Sequence, residues 1–160
     1  ERGIEEDSNN HRMYVTTTTD FETFSDTKLF LDPKFSVIDA VIVKRKKDDY
    51  VLVLKDNTRP ERNIKVAFGT SALGPWTNIS KPFSGNFTEG PSVVKLKDEW
   101  LIYFDSYQKK IYEAVATKDF LTFENVNTKV KVPEGHKHGT IVPVKKHFVK
   151  KFIRKNKIKK

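Results

Sequence analysis

Val15-Thr-Thr-Thr-Thr-Asp-Phe-Glu-Thr-Phe24 returns, little altered, as Ala114-Val-Ala-Thr-Lys-Asp-Phe-Leu-Thr-Phe123. Between them lies Val66-Ala-Phe-Gly-Thr-Ser-Ala-Leu-Gly-Pro-Trp76, which keeps the plan with a different turn. Each copy is a β-type run ending in Thr or a small residue, then a turn, then an aromatic. Phe24 and Trp76 are 52 residues apart, and Trp76 and Phe123 are 47 apart. A second series interleaves: Asp39 after Ser36-Val-Ile, Glu89 after Phe87-Thr, and His138 after His136-Lys. These stand 50 and 49 residues apart. A period near 50 residues, built from short strands, is the signature of β-propeller blades.

The segments between the turns support that reading. Alternating runs rich in Val, Ile, Thr and aromatics predict strands at Met13–Thr18, Val37–Lys44, Tyr50–Lys55, Ile64–Thr70, Ser92–Lys97, Glu99–Asp105, Ile111–Thr117 and Thr140–Val144. Lys47-Asp48-Asp49, Leu73-Gly74-Pro75, Lys97-Asp98 and Ser106–Lys109 supply the turns. No stretch before residue 145 carries three turns of helical periodicity. The fold class expected is all-β, with propeller blades. Phe21, Phe24, Trp76, Phe120 and Phe123 recur on outer strands, so they are expected to pack blades rather than to form sugar platforms.

Blade counting gives about two and a half. Residues 36–80 and 88–128 form one blade each, 13–30 the outer half of a preceding one, and 136–144 the first strand of a following one. Propellers close with about four to eight blades. Residues 1–144 are therefore expected to be part of a five-bladed ring, with missing N-terminal blades as the partner that completes it. An opening Glu1 in place of Met fits a piece of a longer chain, or one whose leader has been removed.

Composition narrows the remaining classes. The chain has 160 residues, 37% hydrophobic and 12% aromatic, which is too apolar for a disordered segment. Without cysteine it can be neither a disulfide scaffold nor a Cys nucleophile, nor a Cys-ligated zinc module. No apolar run approaches the roughly 20 residues of a membrane-spanning helix. The net charge of +9 sits at one end: residues 145–160, KKHFVKKFIRKNKIKK, hold nine Lys or Arg and no acid, leaving residues 1–144 neutral. This tail, with Phe148, Phe152 and Ile153 at helical spacing, is expected to be a short amphipathic helix packed by its apolar stripe and solvated by its lysines. Lying on a membrane, or binding a polyanion such as nucleic acid, is its other reading.

Residues at equivalent inner-strand starts of successive blades converge on the propeller axis. Here they are Asp39, Glu89 and His138: two carboxylates and an imidazole. Two carboxylates in one cleft suit glycoside hydrolysis, where one donates a proton to the leaving oxygen and another tunes it or activates water. Each also has a structural reading. Glu89 could satisfy the amides of its Gly-Pro turn, and His138 could be a hydrogen-bonding histidine. Asp39, among Val37, Ile38, Ala40 and Val41, would be costly to bury without a partner. His136 and His138, two apart, could face one side and share a metal ion. Arg59 or Arg62, in the polar loop 55–62, could reach a glycan hydroxyl or a carboxylate.

The motifs Phe35-Ser-Val-Ile-Asp39-Ala, Thr88-Glu89-Gly-Pro91 and His138-Gly-Thr140 resemble, in order and spacing, the blade-three, blade-four and blade-five motifs of glycoside hydrolase family 43. The Asp-Phe-x-Thr-Phe and Leu-Gly-Pro-Trp segments are similar to its outer-strand motifs, and the resemblance covers roughly residues 13–144. It implies a five-bladed enzyme acting on arabinose- and xylose-containing oligo- or polysaccharides of plant type. Glu89 would be the general acid, and Asp39 the carboxylate that raises its pKa and orients it. His138 would bind substrate or hold a water or cation near the axis; the loop reading of Arg59 supplies a second substrate contact. No cofactor is implied beyond a structural Ca2+ or other cation on that axis. The mechanism would be inverting, with acid and base about 6.5–9.5 Å apart. The family's general base is an Asp on the first blade. Asp7, Asp20 and Asp32 stand in an acidic N-terminal stretch, an outer turn and a loop, so none fills that role. The isolated chain is therefore expected to hydrolyse little. A non-catalytic carbohydrate-binding or structural propeller piece is the alternative. Neither nucleic acid nor membrane is expected as a partner. The residues fix no location, and a secreted or periplasmic one is compatible with the resemblance.

Overall fold

The computed structural model describes residues 10–156. Two four-stranded antiparallel sheets follow one another along the chain. The first comprises β3 (Val37–Lys46), β4 (Asp49–Asp56), β5 (Asn63–Gly69) and β6 (Trp76–Thr77) in sequence order. The second comprises β7 (Thr88–Leu96), β8 (Glu99–Ser106), β9 (Ile111–Thr117) and β10 (Glu124–Asn125), again in order. A two-stranded sheet, β1 (Met13–Val15) with β2 (Lys28–Leu31), precedes them, and one helix, α1 (Lys146–Lys155), follows. These are all-β, propeller-like units: two complete blades and the outer half of a third.

The blades stack face to face because their middle strands are apolar on both sides. Along β4, Val51 and Val53 point one way, and Leu52 and Leu54 the other. The first pair joins Ile64 and Val66 against Ile102, Phe104, Val115 and Phe120 of the second blade. The second pair, with Val37, Ala67 and Trp76, meets Leu31 of β2 and the partly buried Met13 and Phe30. One alternating strand therefore serves two interfaces. Arg45 of β3 bridges the blades on the outside. Its guanidinium pairs with Asp49 at 2.6 Å, donates to the Asp119 carbonyl at 2.9 Å and lies over the Phe68 and Phe120 rings.

The repeated turn recurs atom for atom. The Phe21 amide donates to Thr18 Oγ1 and the Phe120 amide to Thr117 Oγ1, both at 2.8 Å. Asp20 Oδ1 accepts from the Glu22 and Thr23 amides, and Asp119 Oδ1 from those of Leu121 and Thr122. Those backbone donors hold both carboxyls below the usual aspartate range. A pKa lowered in the folded state adds stability that is present above the unfolded value and is lost as pH falls through the folded one.

Four expectations need correction. The strand foreseen at Met13–Thr18 stops at Val15, where the regular ladder gives way to mixed bonds: Thr16 Oγ1 donates to the Ser25 carbonyl, the Thr17 amide to Ser25 Oγ, and the Ser25 amide to the Thr17 carbonyl. Its partner β2 was not foreseen. Thr140–Val144 forms no strand; Pro143 has no N–H to offer a ladder, and the Ile141 amide bonds Ser92 Oγ instead. Phe21 and Phe24 are exposed, although Trp76 and Phe120 are buried and Phe123 packs against the core. Phe120 is covered by Trp100 and Arg45; beside β1–β2 the described residues supply no inner strands to cover Phe21. Lastly, α1 is helical as expected, but none of its residues is buried.

The two equivalent phenylalanines predict a contrast. Phe21 is 85% exposed and Phe120 is 0% exposed. Phe120→Ala should cost about 3–5 kcal/mol in urea unfolding. Phe21→Ala should stay within about 0.5 kcal/mol. Equal losses would show that Phe21 is covered in solution.

Candidate active site

Asp39, Glu89 and His138 come together. One ligand atom from each lies within 4.8 Å of the others, the one such grouping of metal-ligating side chains among the described residues. Two β-bulges create it. In β3 the ladder breaks between Ile38 and Val41, and in β7 between Glu89 and Ser92. The extra residues turn through the left-handed region, with φ of 51° at Asp39 and 58° at Gly90. The Gly90 amide donates to Asp39 Oδ2 at 3.1 Å, tying the two blades at their inner edge. A Cβ at Gly90, whose φ is positive, would meet the His138 ring, so the missing side chain leaves that ring its place.

The bulges also correct the alignment of the repeat. Ile38 pairs with Lys55, and Glu89 with Asp105, so Glu89 corresponds to Ile38 and Asp39 corresponds to Gly90. The two carboxylates are thus not at equivalent positions, as a spacing of 50 suggested. They meet because one sits on the bulge and the other just ahead of it on the neighbouring blade.

Two residues that sequence reasoning missed hold the cluster. Lys55 and Asp105 stand at matching ends of β4 and β8, and the side chain of each is 2% exposed. Lys55 Nζ donates to Glu89 Oε2 at 2.7 Å and lies over the Tyr107 ring. Asp105 Oδ2 is 3.5 Å from His138 Nδ1 and has no hydrogen-bond partner. His138 Nε2 then faces Glu89 Oε1 at 3.8 Å. In each blade a buried charge at the end of the second strand reaches the polar residue that opens the next unit. The signal was available as a charge ending an apolar run, in Leu54-Lys55 and Phe104-Asp105. Tyr112 completes the support: its hydroxyl donates to the Gly139 carbonyl at 2.9 Å and accepts from the Gly139 amide at 3.2 Å. Burial, aided by the nearby Asp105 charge, pushes its phenol above the ordinary value.

The remaining candidates fall on either side of the cluster. His136 does not join His138 as a second ligand; it stands edge-on to Tyr112, 5.3 Å between ring centres. Arg59 is exposed on the loop between β4 and β5. That loop is fastened just ahead of Glu89, where the Phe87 amide donates to the Glu61 carbonyl and the Thr88 amide to that of Arg62. The donor set suits calcium poorly, since that ion takes about six to eight oxygen ligands. Here two carboxylates and an imidazole converge, and Lys55 already occupies one carboxylate oxygen.

Chemically, the cluster presents a carboxyl group with one oxygen fixed by an ammonium and the other directed at an imidazole. The family described as "Probable glycosyl hydrolase domain" matches residues 2–149. The chain belongs to this glycosyl hydrolase family. No curated protein matches it. Among solved structures it is similar to one described by the words "The GH130 family of mannoside phosphorylases contains glycoside hydrolases that target beta-1,2 mannosidic linkages in Candida mannan". The identity is 15% and the TM-score 0.55, covering 72% of this chain and 39% of that one. The likeness is one of fold, and the chain spans well under half of that relative's length.

The Lys55–Glu89 pair gives a direct test. Glu89→Gln leaves a buried ammonium facing a neutral amide and should cost about 1.5–3 kcal/mol in urea unfolding. Lys55→Met in the same chain should recover part of that loss, giving a coupling of about 1 kcal/mol or more in a double-mutant cycle. Additive losses would mean that the pair does not form.

Proposed function

We propose that the chain is the part of a glycosidase that carries the proton donor, hydrolysing O-glycosidic bonds of arabinose- or xylose-containing glycans with inversion. The observation that carries this is the convergence of Asp39, Glu89 and His138 within 4.8 Å in a chain of a glycosyl hydrolase family. Glu89 is the general acid. Lys55 donates to Oε2, so Oε1 is the oxygen left to serve the departing glycosidic oxygen. Asp39 is the modulating carboxylate, held in place by the Gly90 amide. His138, half-exposed and backed by Asp105, and Arg59, on the loop beside β7, are the substrate contacts.

A water attacks the anomeric carbon from the opposite face as the glycosidic bond breaks, and a base takes its proton. Inversion requires that base to lie about 6.5–9.5 Å from the acid. Asp39 is too close to Glu89 to admit that water. Asp20 and Asp32 are engaged in an outer turn and an Arg12 ion pair. We place that base on further blades of a longer ring.

The reading is tested with aryl α-L-arabinofuranoside, β-xyloside and mannoside substrates. The 160-residue chain should turn over very little. In a form extended by further blades, Glu89→Gln should lower kcat/KM about 10²–10⁴-fold, and NMR should show an inverted anomer as first product. Turnover by the chain alone, abolished in Glu89→Gln, would overturn its incompleteness while retaining the acid. Glycan binding that survives Asp39→Asn and Glu89→Gln, with no hydrolysis by any form, would instead make it a binding propeller.

A further inference from the structure

Helix α1 is strongly amphipathic, and among the described residues nothing buries it. At 3.6 residues per turn, Phe148, Val149, Phe152 and Ile153 share one side, and the basic residues from Lys146 to Lys155 share the other. Phe148 and Phe152 stack on each other yet remain 55% and 52% exposed. Val142 and Val144, leading into the helix, are exposed as well. The packing that argued against a membrane partner is therefore absent.

Alone, such a helix is poorly supported. Ten residues are too few for a stable isolated helix in water. The first turn has no acidic residue and no side-chain cap. Lys146 and Lys150, Lys150 and Arg154, and Lys151 and Lys155 are like-charged neighbours one turn apart. Only Asn156, whose amide donates to the Phe152 carbonyl, and the basic last turn favour it. Its partner must supply an apolar bed and negative charge along both flanks of that bed. A protein groove supplies the first without the second unless it is ringed by acids. An anionic bilayer supplies both, since acyl chains lie under the stripe and headgroups surround it.

We propose that α1 docks the protein on an anionic lipid surface, with Phe148, Val149 and Phe152 in the acyl boundary and the lysines among the headgroups. This stands independently of the glycosidase reading. It is tested by floating the 160-residue chain with vesicles of phosphatidylcholine alone, or of phosphatidylcholine with about one-third phosphatidylserine. The bound fraction should be about tenfold higher on the anionic vesicles. Phe148→Ser with Phe152→Ser, which leaves the charge unchanged, should remove most of it, as should Lys150→Glu with Lys151→Glu. The β circular dichroism signal reports that the blades stay folded in each variant. No flotation, equal flotation on both vesicles, or full binding by the serine variant overturns the proposal. So does capture by heparin or RNA without flotation.

Discussion

Lys55 ends a strand whose side chains are out of water from Val51 onward, so its ammonium must be met by a carboxylate where it emerges. Glu89 of the next blade meets it, 2.7 Å away. Much of the molecule follows from this constraint. The blades cannot slide on the Val51–Val53 face without stranding the charge. Glu89 cannot turn to solvent for the same reason. The apolar stacking and the candidate site thus share this ion pair, and the site is an edge of the core rather than an addition to it.

The same device recurs one blade later with its polarity reversed. Asp105, at the matching end of β8, is buried and turns to the imidazole of His138. A basic end meeting an acid, then an acidic end meeting a base, brings groups of both kinds to one point. Between them the Gly90 amide holds Asp39, and the absence of a side chain at Gly90 makes room for His138. Each inner residue therefore has a support on the neighbouring blade that fixes its geometry.

Much of the fold was legible because the repeat is written in local chemistry. The Thr-x-Asp-Phe-x-x turn is specified by side chains bonding amides two or three residues away, and such bonds form wherever the motif occurs. Inner strand β3 was legible from alternation, but β7, expected from Ser92, begins at Thr88, because the bulge after Glu89 interrupts its pattern. Residues 140–144 and β2 were not legible, since such short segments carry little periodic signal. The aromatics of the first half-blade misled for a related reason. Phe21 and Phe120 have the same local conformation, and only a covering strand distinguishes their burial.

The site divides in the same way. Residue types and their spacing were enough for the period, the all-β architecture and the three residues that converge, because repeats of similar length bring their inner-strand starts to one edge even when out of register by a residue. They were enough, too, to assign the charge of +9 to a basic amphipathic tail, since helical spacing and composition are local properties. The alignment of Asp39 with Gly90 rather than Glu89 emerged from the folded chain alone, because a bulge adds a residue without any change in residue type. So did the support that Lys55 and Asp105 give the cluster, and the uncovered state of α1. Those are questions of which faces meet, and burial is set by neighbours that are distant in the chain.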